Sequence, residues 1–159
     1  MIQSKCSTAH NGQQHGRCAP ELSTAEQESE MKGLFLAGRL VFGGFFLYNG
    51  INHLKQREGL AQYAAAKNVP MPDTGVVGSG VLLMLGGASI ILGIRPKLGV
   101  AGIATFLGAA AAMIHDFWNI QDPQQSQNEM IHFSKNIALL GAALALAGVE
   151  EPWPASVGR

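Results

Sequence analysis

Nine side chains able to hydrogen-bond or exchange protons stand inside, or at the ends of, otherwise apolar stretches: Arg39, Asn49, His53, His115, Asp116, Trp118, His132, Lys135 and Asn136. An ionisable group within a membrane span costs roughly 2.5 to 3.5 kcal/mol on insertion scales, so each one marks a candidate site. On helices the spacing is informative. Asn49 and His53 are four apart, His115 and Trp118 three apart, and His132, Lys135 and Asn136 fall at i, i+3 and i+4, so each set shares a face. A histidine beside a carboxylate and an aromatic ring can relay a proton and hydrogen-bond a carbonyl, which is what the head of a quinone requires. Helical rise puts Asp116 and Lys135 within roughly 6 Å of the same membrane face, so an ion pair between them is expected. Arg39 lies about 9 Å into the first apolar stretch from the opposite face. It is expected to snorkel or to bond the carbonyls of neighbouring backbone, with an anionic headgroup as the alternative. A structural reading competes for the rest: Lys135 and His53 snorkelling, Trp118 as an interfacial anchor, and a polar network that fastens helices.

The elements that must position these residues are membrane spans. Only 14% of the 159 residues are charged and 20 are glycine, which points to lipid, while 11 basic residues against 11 acidic ones leave no field to attract nucleic acid. Four segments reach the ~20 apolar residues that a bilayer demands: about Gly33 to His53, Gly75 to Ile94, Leu98 to Trp118 and Ile131 to Val149. They predict an all-α, integral membrane four-helix bundle of up-down-up-down topology. A soluble bundle would need polar outer faces that the second and third segments lack, and strands would need a period of two. Small residues at helical spacing in the third segment (Ala104, Gly108, Ala112; Ala101, Thr105, Ala109) are expected to let helices approach closely. The Arg95-Pro96-Lys97 turn makes the second and third helices antiparallel neighbours. An amphipathic stretch around LAQYAAAKN, ended by Pro70 and Pro72, should lie along the interface, and the Gln- and Asn-rich loop from Asn119 to Met130 should be exposed on the same side. In this topology the first helix ends, the third ends and the fourth begins at one face, which gathers every candidate except Arg39.

Residues 1–30 have the composition of a disordered polar tail and no secretory signal, with Met31 as a natural start for a domain running to residue 149 and a short C-terminal tail over 150–159. Cys6, His10, His15 and Cys18 carry metal-ligand chemistry at a spacing that fits no standard finger, so the reading there is a solvated tail. Both termini fall on the side of the Arg95–Lys97 turn. Basic residues tie between the two sides, and the short basic turn tips the termini towards the cytoplasm.

Gly38-Arg39, the run from Tyr48 to Leu54, Val69-Pro70-Met71-Pro72, Gly86-Gly87, His115-Asp116-Phe117-Trp118 and the run from His132 to Gly141 together resemble the DoxX family of small four-helix bacterial inner-membrane proteins, over about Leu34 to Gly148. The resemblance implies a multi-pass protein of the bacterial inner membrane, with the lipid bilayer around it and a protein partner or second copy beside it. It also implies an association with thiosulfate:quinone oxidoreductase, hence quinone as the cofactor, with His115, Asp116, Trp118, His132, Lys135 and Asn136 at the matching polar positions. The chain shows no flavin, nicotinamide or iron–sulfur motif, so it is not expected to be catalytic alone. Two functions follow: a non-catalytic membrane partner or assembly subunit, or a quinone-linked subunit of an oxidoreductase.

Overall fold

The computed structural model describes residues 23–157, and most of the expected tail, including Cys6, His10, His15 and Cys18, lies outside them. The described chain is helical throughout: α1 (Thr24–Lys55), α2 (Arg57–Ala66), α3 (Pro72–Leu92), α4 (Pro96–Met113), a 3₁₀ turn (Phe117–Asn119) and α5 (Pro123–Ala147). Four of these, α1, α3, α4 with its following turn, and α5, are long and apolar enough to cross a membrane.

Local chemistry sets the ends. Ser23 and Glu26 form a capping box, each side chain bonding the other's backbone N–H, so α1 begins at Thr24 and the part of the tail just before Met31 is helical. At 32 residues α1 is about 48 Å long, more than a bilayer needs, so its ends extend beyond the hydrocarbon. Asp122 caps α5 by accepting from the Gln125 N–H at 2.8 Å, with Pro123 in the first turn. The helix therefore starts eight residues before Ile131 and takes in loop that was expected to be exposed. α4 stops at Met113, short of the expected Trp118, and leaves His115 and Asp116 in a turn.

The long helices pack in chain order, α1 on α3, α3 on α4 and α4 on α5, and no comparable α1–α5 interface closes the ring. Glycine sets the closest approach. A β-carbon on Gly87 would lie 2.5 Å from the Gly43 carbonyl oxygen, and one on Gly50 would lie 2.6 Å from that of Gly80, so α1 and α3 touch backbone to backbone at two points seven residues apart. Of the small residues of α4 expected to do this, Ala104 packs against the core, while Gly108 has open space around it and Ala101, Thr105, Ala109 and Ala112 are exposed. α4 instead buries Gly99, Ile103, Leu107 and Ala111, joining Phe46, Leu83, Ile90 and Ala143 in the core.

Residues after Glu150, read as a short tail, fold back onto the bundle. Trp153 is fully buried edge-on to Phe35, and the Val157 N–H bonds the Leu92 carbonyl at 2.9 Å. Arg39, 1% exposed, donates to the carbonyls of Pro154 at 2.8 Å and Ala155 at 3.1 Å. The guanidinium thus takes the backbone-carbonyl option and binds the chain's own C-terminal segment.

Candidate functional site

A cavity of about 380 Å³ lies between α1 and α5, floored by α3 and α4 and covered at one end by α2. From Phe45 to His53 it follows α1 for about 12 Å, eight residues at 1.5 Å each. Phe46, Leu83, Phe106 and Leu139 line its inner part, and Asn49, His53, His115, Lys135 and Asn136 stand where it nears the membrane face. Five of the nine candidates therefore share one wall system, because α1 and α4 end and α5 begins at the same level.

Each of the five has a definite hydrogen-bonding state. Ser79 gives its hydroxyl proton to the Val76 carbonyl at 3.0 Å, so it accepts from His53 Nδ1 at 3.0 Å, and Nε2 of His53 is left as the acceptor nitrogen. Asn49 donates to the Phe45 carbonyl one turn back at 2.7 Å. Asn136 is only 7% exposed, yet its amide has no hydrogen-bond partner among the described residues. The amide atoms are open to the cavity that Asn136 lines, and the buried side-chain polar atom left without a partner among the described residues is Nε of Arg39. Lys135 Nζ donates to His132 Nδ1 at 3.2 Å and meets no carboxylate among the described residues.

Beside the cavity lies a network that the sequence reading did not contain. Glu129 is buried and accepts from the Tyr63 hydroxyl and from His115 Nδ1, the latter at 2.7 Å. The His115 ring stacks on that of His132, centroids 5.2 Å apart. Burial of the hydroxyl end, then the neighbouring Glu129, pushes the Tyr63 phenol above its ordinary range, although two-fifths of the side chain is exposed (40%). The signal for Glu129 was present, since residues 129, 132 and 136 fall at i, i+3 and i+7, and α5 buries Glu129, Asn136 and Ala143 as one stripe.

The Asp116–Lys135 pair is not formed. Asp116 Oδ1 binds Lys67 Nζ at 2.6 Å, and its other oxygen takes the Asn119 amide at 3.1 Å. The early end of α4 places Asp116 in a turn beside the end of α2, where Lys67 reaches it first. Trp118 also leaves the cluster: it is 56% exposed and packs edge-on to Phe117 and Phe133. His132, Asp116 and Arg39 do not line the cavity. Tyr63 and Lys67 together tie α2 to α5 and to the end of α4, holding it over the opening.

The DoxX family profile matches residues 34–116, more than half of the chain. The chain belongs to the DoxX family. It is a multi-pass membrane protein, and the match covers the first three spans up to Asp116, leaving α5 outside. The inner membrane protein YphA of Escherichia coli strain K12 is 32% identical over 116 residues, an alignment that covers 72% of this chain and 81% of the relative. No solved structure matches the chain.

Proposed function

We propose that this DoxX protein is a quinone-linked subunit of an inner-membrane oxidoreductase system, holding a lipid-soluble head in the α1–α5 cavity while a partner protein exchanges the electrons. The observation that supports this reading is the cavity itself, apolar inside and lined near the membrane face by the Asn136 amide, which has no protein partner among the described residues. Its volume of about 380 Å³ is in the range of small-molecule sites, roughly 300 to 1,000 Å³.

The donor set fits a quinone. Asn136 and Lys135 are donors, the neutral His53 supplies an acceptor at Nε2, and Phe45, Phe46 and Phe106 offer flat apolar surface. When bound, such a group supplies two-electron, two-proton chemistry. His53 can take a proton from a hydroxyl and release it as an imidazolium, and Lys135 and Asn136 orient a carbonyl. Glu129 fixes the His115 ring, and α2 covers one end of the cavity through Leu60, Tyr63 and Ala64. The sequence carries no electron-transfer centre, so the partner subunit of this proposal provides it.

Lipid extraction of the purified protein and mass analysis tests the reading, with about one quinone per chain expected and a marked loss in Asn136→Leu. Recovery of a stoichiometric partner protein with no quinone would return the chain to the other role, a non-catalytic membrane partner or assembly subunit.

A further inference from the structure

Two imidazoles line the cavity, and their hydrogen bonds lead to different places. His53 and His115 each have Nδ1 engaged, and Nε2 of each has no partner among the described residues. From His53 the bonds run through the Ser79 hydroxyl to the Val76 carbonyl and stop, because a backbone carbonyl has no proton to pass on. A proton that His53 takes from the cavity can only return to it. From His115 the bonds run at 2.7 Å to Glu129, which does not line the cavity, and on to the Tyr63 hydroxyl. Tyr63 stands on α2, outside the spans, and is 40% exposed, so a path that begins at the cavity wall ends at water. Each member suits the task. Imidazole and carboxyl exchange protons readily, and the Tyr63 phenol, pushed above its ordinary range by burial and then by Glu129, stays a neutral hydroxyl that accepts one proton as it gives another. The neighbouring charges leave the path free. Lys67 is held by Asp116, the exposed Lys135 is turned to His132 Nδ1, and the His132 ring only stacks on that of His115. No lysine or arginine lies within ion-pair distance of Glu129 among the described residues, so its carboxylate is available to match an imidazolium at His115.

We infer that His115, Glu129 and Tyr63 form the proton outlet of the cavity, with His115 Nε2 as the acceptor that meets the ligand. This rests on the reading of the cavity as a quinone site and adds the route by which its protons reach water. When a bound quinol is oxidised, its two electrons go to a haem or iron–sulfur centre of the partner and its two O–H bonds break. His115 Nε2 takes a proton, and the imidazolium passes its Nδ1 proton to the Glu129 carboxylate. Glu129 hands a proton to the Tyr63 oxygen as Tyr63 releases its own to water. A half-turn of the ring restores Nδ1–H, and the second proton follows the same path.

The full-length protein in lipid nanodiscs is loaded with decylubiquinol, and ferricyanide, a one-electron oxidant that stays in water, stands in for the partner. Each quinol gives two electrons to two ferricyanide ions and two protons to a pH indicator. Proton release is expected to be slower by roughly ten-fold or more in His115→Ala, Glu129→Gln and Tyr63→Phe than in the wild type, and added imidazole is expected to restore it in His115→Ala. A second measurement needs no turnover. In protein with isotope-labelled histidine that holds decylubiquinone, the Nδ1 proton of His115 is expected to exchange with water roughly ten-fold more slowly in Tyr63→Phe than in the wild type. Release at the wild-type rate in any of the three variants overturns the inference and leaves the quinone reading standing. So does a loss in His115→Ala that imidazole does not repair, or unchanged proton exchange in Tyr63→Phe. Failure of decylubiquinol to bind the folded wild type overturns both. If Glu129→Gln does not fold, the rescue of His115→Ala and the exchange rate in Tyr63→Phe still decide.

Discussion

The sequence pairs Asp116 with Lys135 by depth in the membrane, and the structure gives it to Lys67 instead. A double-mutant cycle separates the two assignments. Lys67→Met and Asp116→Asn should show a coupling of about 1 kcal/mol in detergent unfolding, since each single change strands a partly buried charge. Lys135→Met and Asp116→Asn should be additive within error. Couplings inside membranes average about 0.6 kcal/mol, so the cycle needs replicate unfolding curves. Glu129 carries a second prediction at this scale. Its replacement by Leu leaves the Tyr63 hydroxyl and the His115 Nδ1–H without acceptors, at a cost of roughly 1 to 3 kcal/mol, and it loosens α2. Tyr63→Phe should lose less, because it removes the donor together with its need. Equal losses would show that the carboxylate does not organise the network. Spacing grouped Asn49 with His53 in α1 and Lys135 with Asn136 in α5, and these line the cavity, whereas His132, read on the same face, does not. Lys67 and Tyr63 were not legible, because they sit on a short amphipathic helix and at its end, where exposure is the ordinary expectation, and Glu129 was missed because its segment reads as polar loop although its spacing from His132 and Asn136 carried a signal. The contacts of Lys67 and Tyr63 depend on how α2 folds back over the ends of α4 and α5, which no local pattern encodes.

At the scale of elements, the number and order of spans follow from apolar length, while the contacts between them do not. Small residues in α4 looked like the packing stripe, but α4 turns its branched side chains inward and leaves Gly108 in open space. The closest approaches are between α1 and α3, where Gly43 faces Gly87 and Gly50 faces Gly80, and a further one joins α3 to α4 where Gly86 faces Gly99. Both α1 and α3 are rich in glycine, and sequence gives no way to choose which glycines face each other until the helices are set antiparallel. Gly87→Ala is therefore expected to lower the melting temperature, by an amount corresponding to about 1 to 3 kcal/mol, because its β-carbon meets backbone that cannot move aside. Gly108→Ala should be neutral or slightly stabilising, as alanine is the better helix former. The reverse ranking would mean that the helices pair through other faces. Opening α1 from α3 would also widen the cavity, since Asn49 and His53 lie beside Gly50, so Gly87→Ala should weaken ligand binding without touching the site.

For the whole molecule, the cavity mouth and the chain ends lie at opposite membrane faces. With the termini in the cytoplasm, as the short Arg95–Lys97 turn suggests, α2 and the cavity mouth face the other side. In a variant with Cys6 and Cys18 replaced by serine, a cysteine at Gln62 should then label in intact cells, and one at Glu151 only after permeabilisation. The opposite pattern would invert the orientation, and labelling of both from one side would break the four-span topology. The end with the termini is closed by the chain itself. Arg39 is buried inside the first span with its two terminal nitrogens on the carbonyls of Pro154 and Ala155, while Trp153 fills the space beside Phe35. Two contributions can hold this clasp: apolar burial of the indole, and satisfaction of a guanidinium that would otherwise be stranded in low dielectric. They respond differently to mutation. Truncation after Glu150 removes both, whereas truncation in an Arg39→Met background removes only the first, because no charge remains to be stranded. The truncation should therefore cost roughly 1 to 3 kcal/mol more in the wild type than in that background. If the two losses are equal, the indole alone fastens the C-terminal segment, and Arg39 finds equivalent partners in lipid headgroups once the segment is gone.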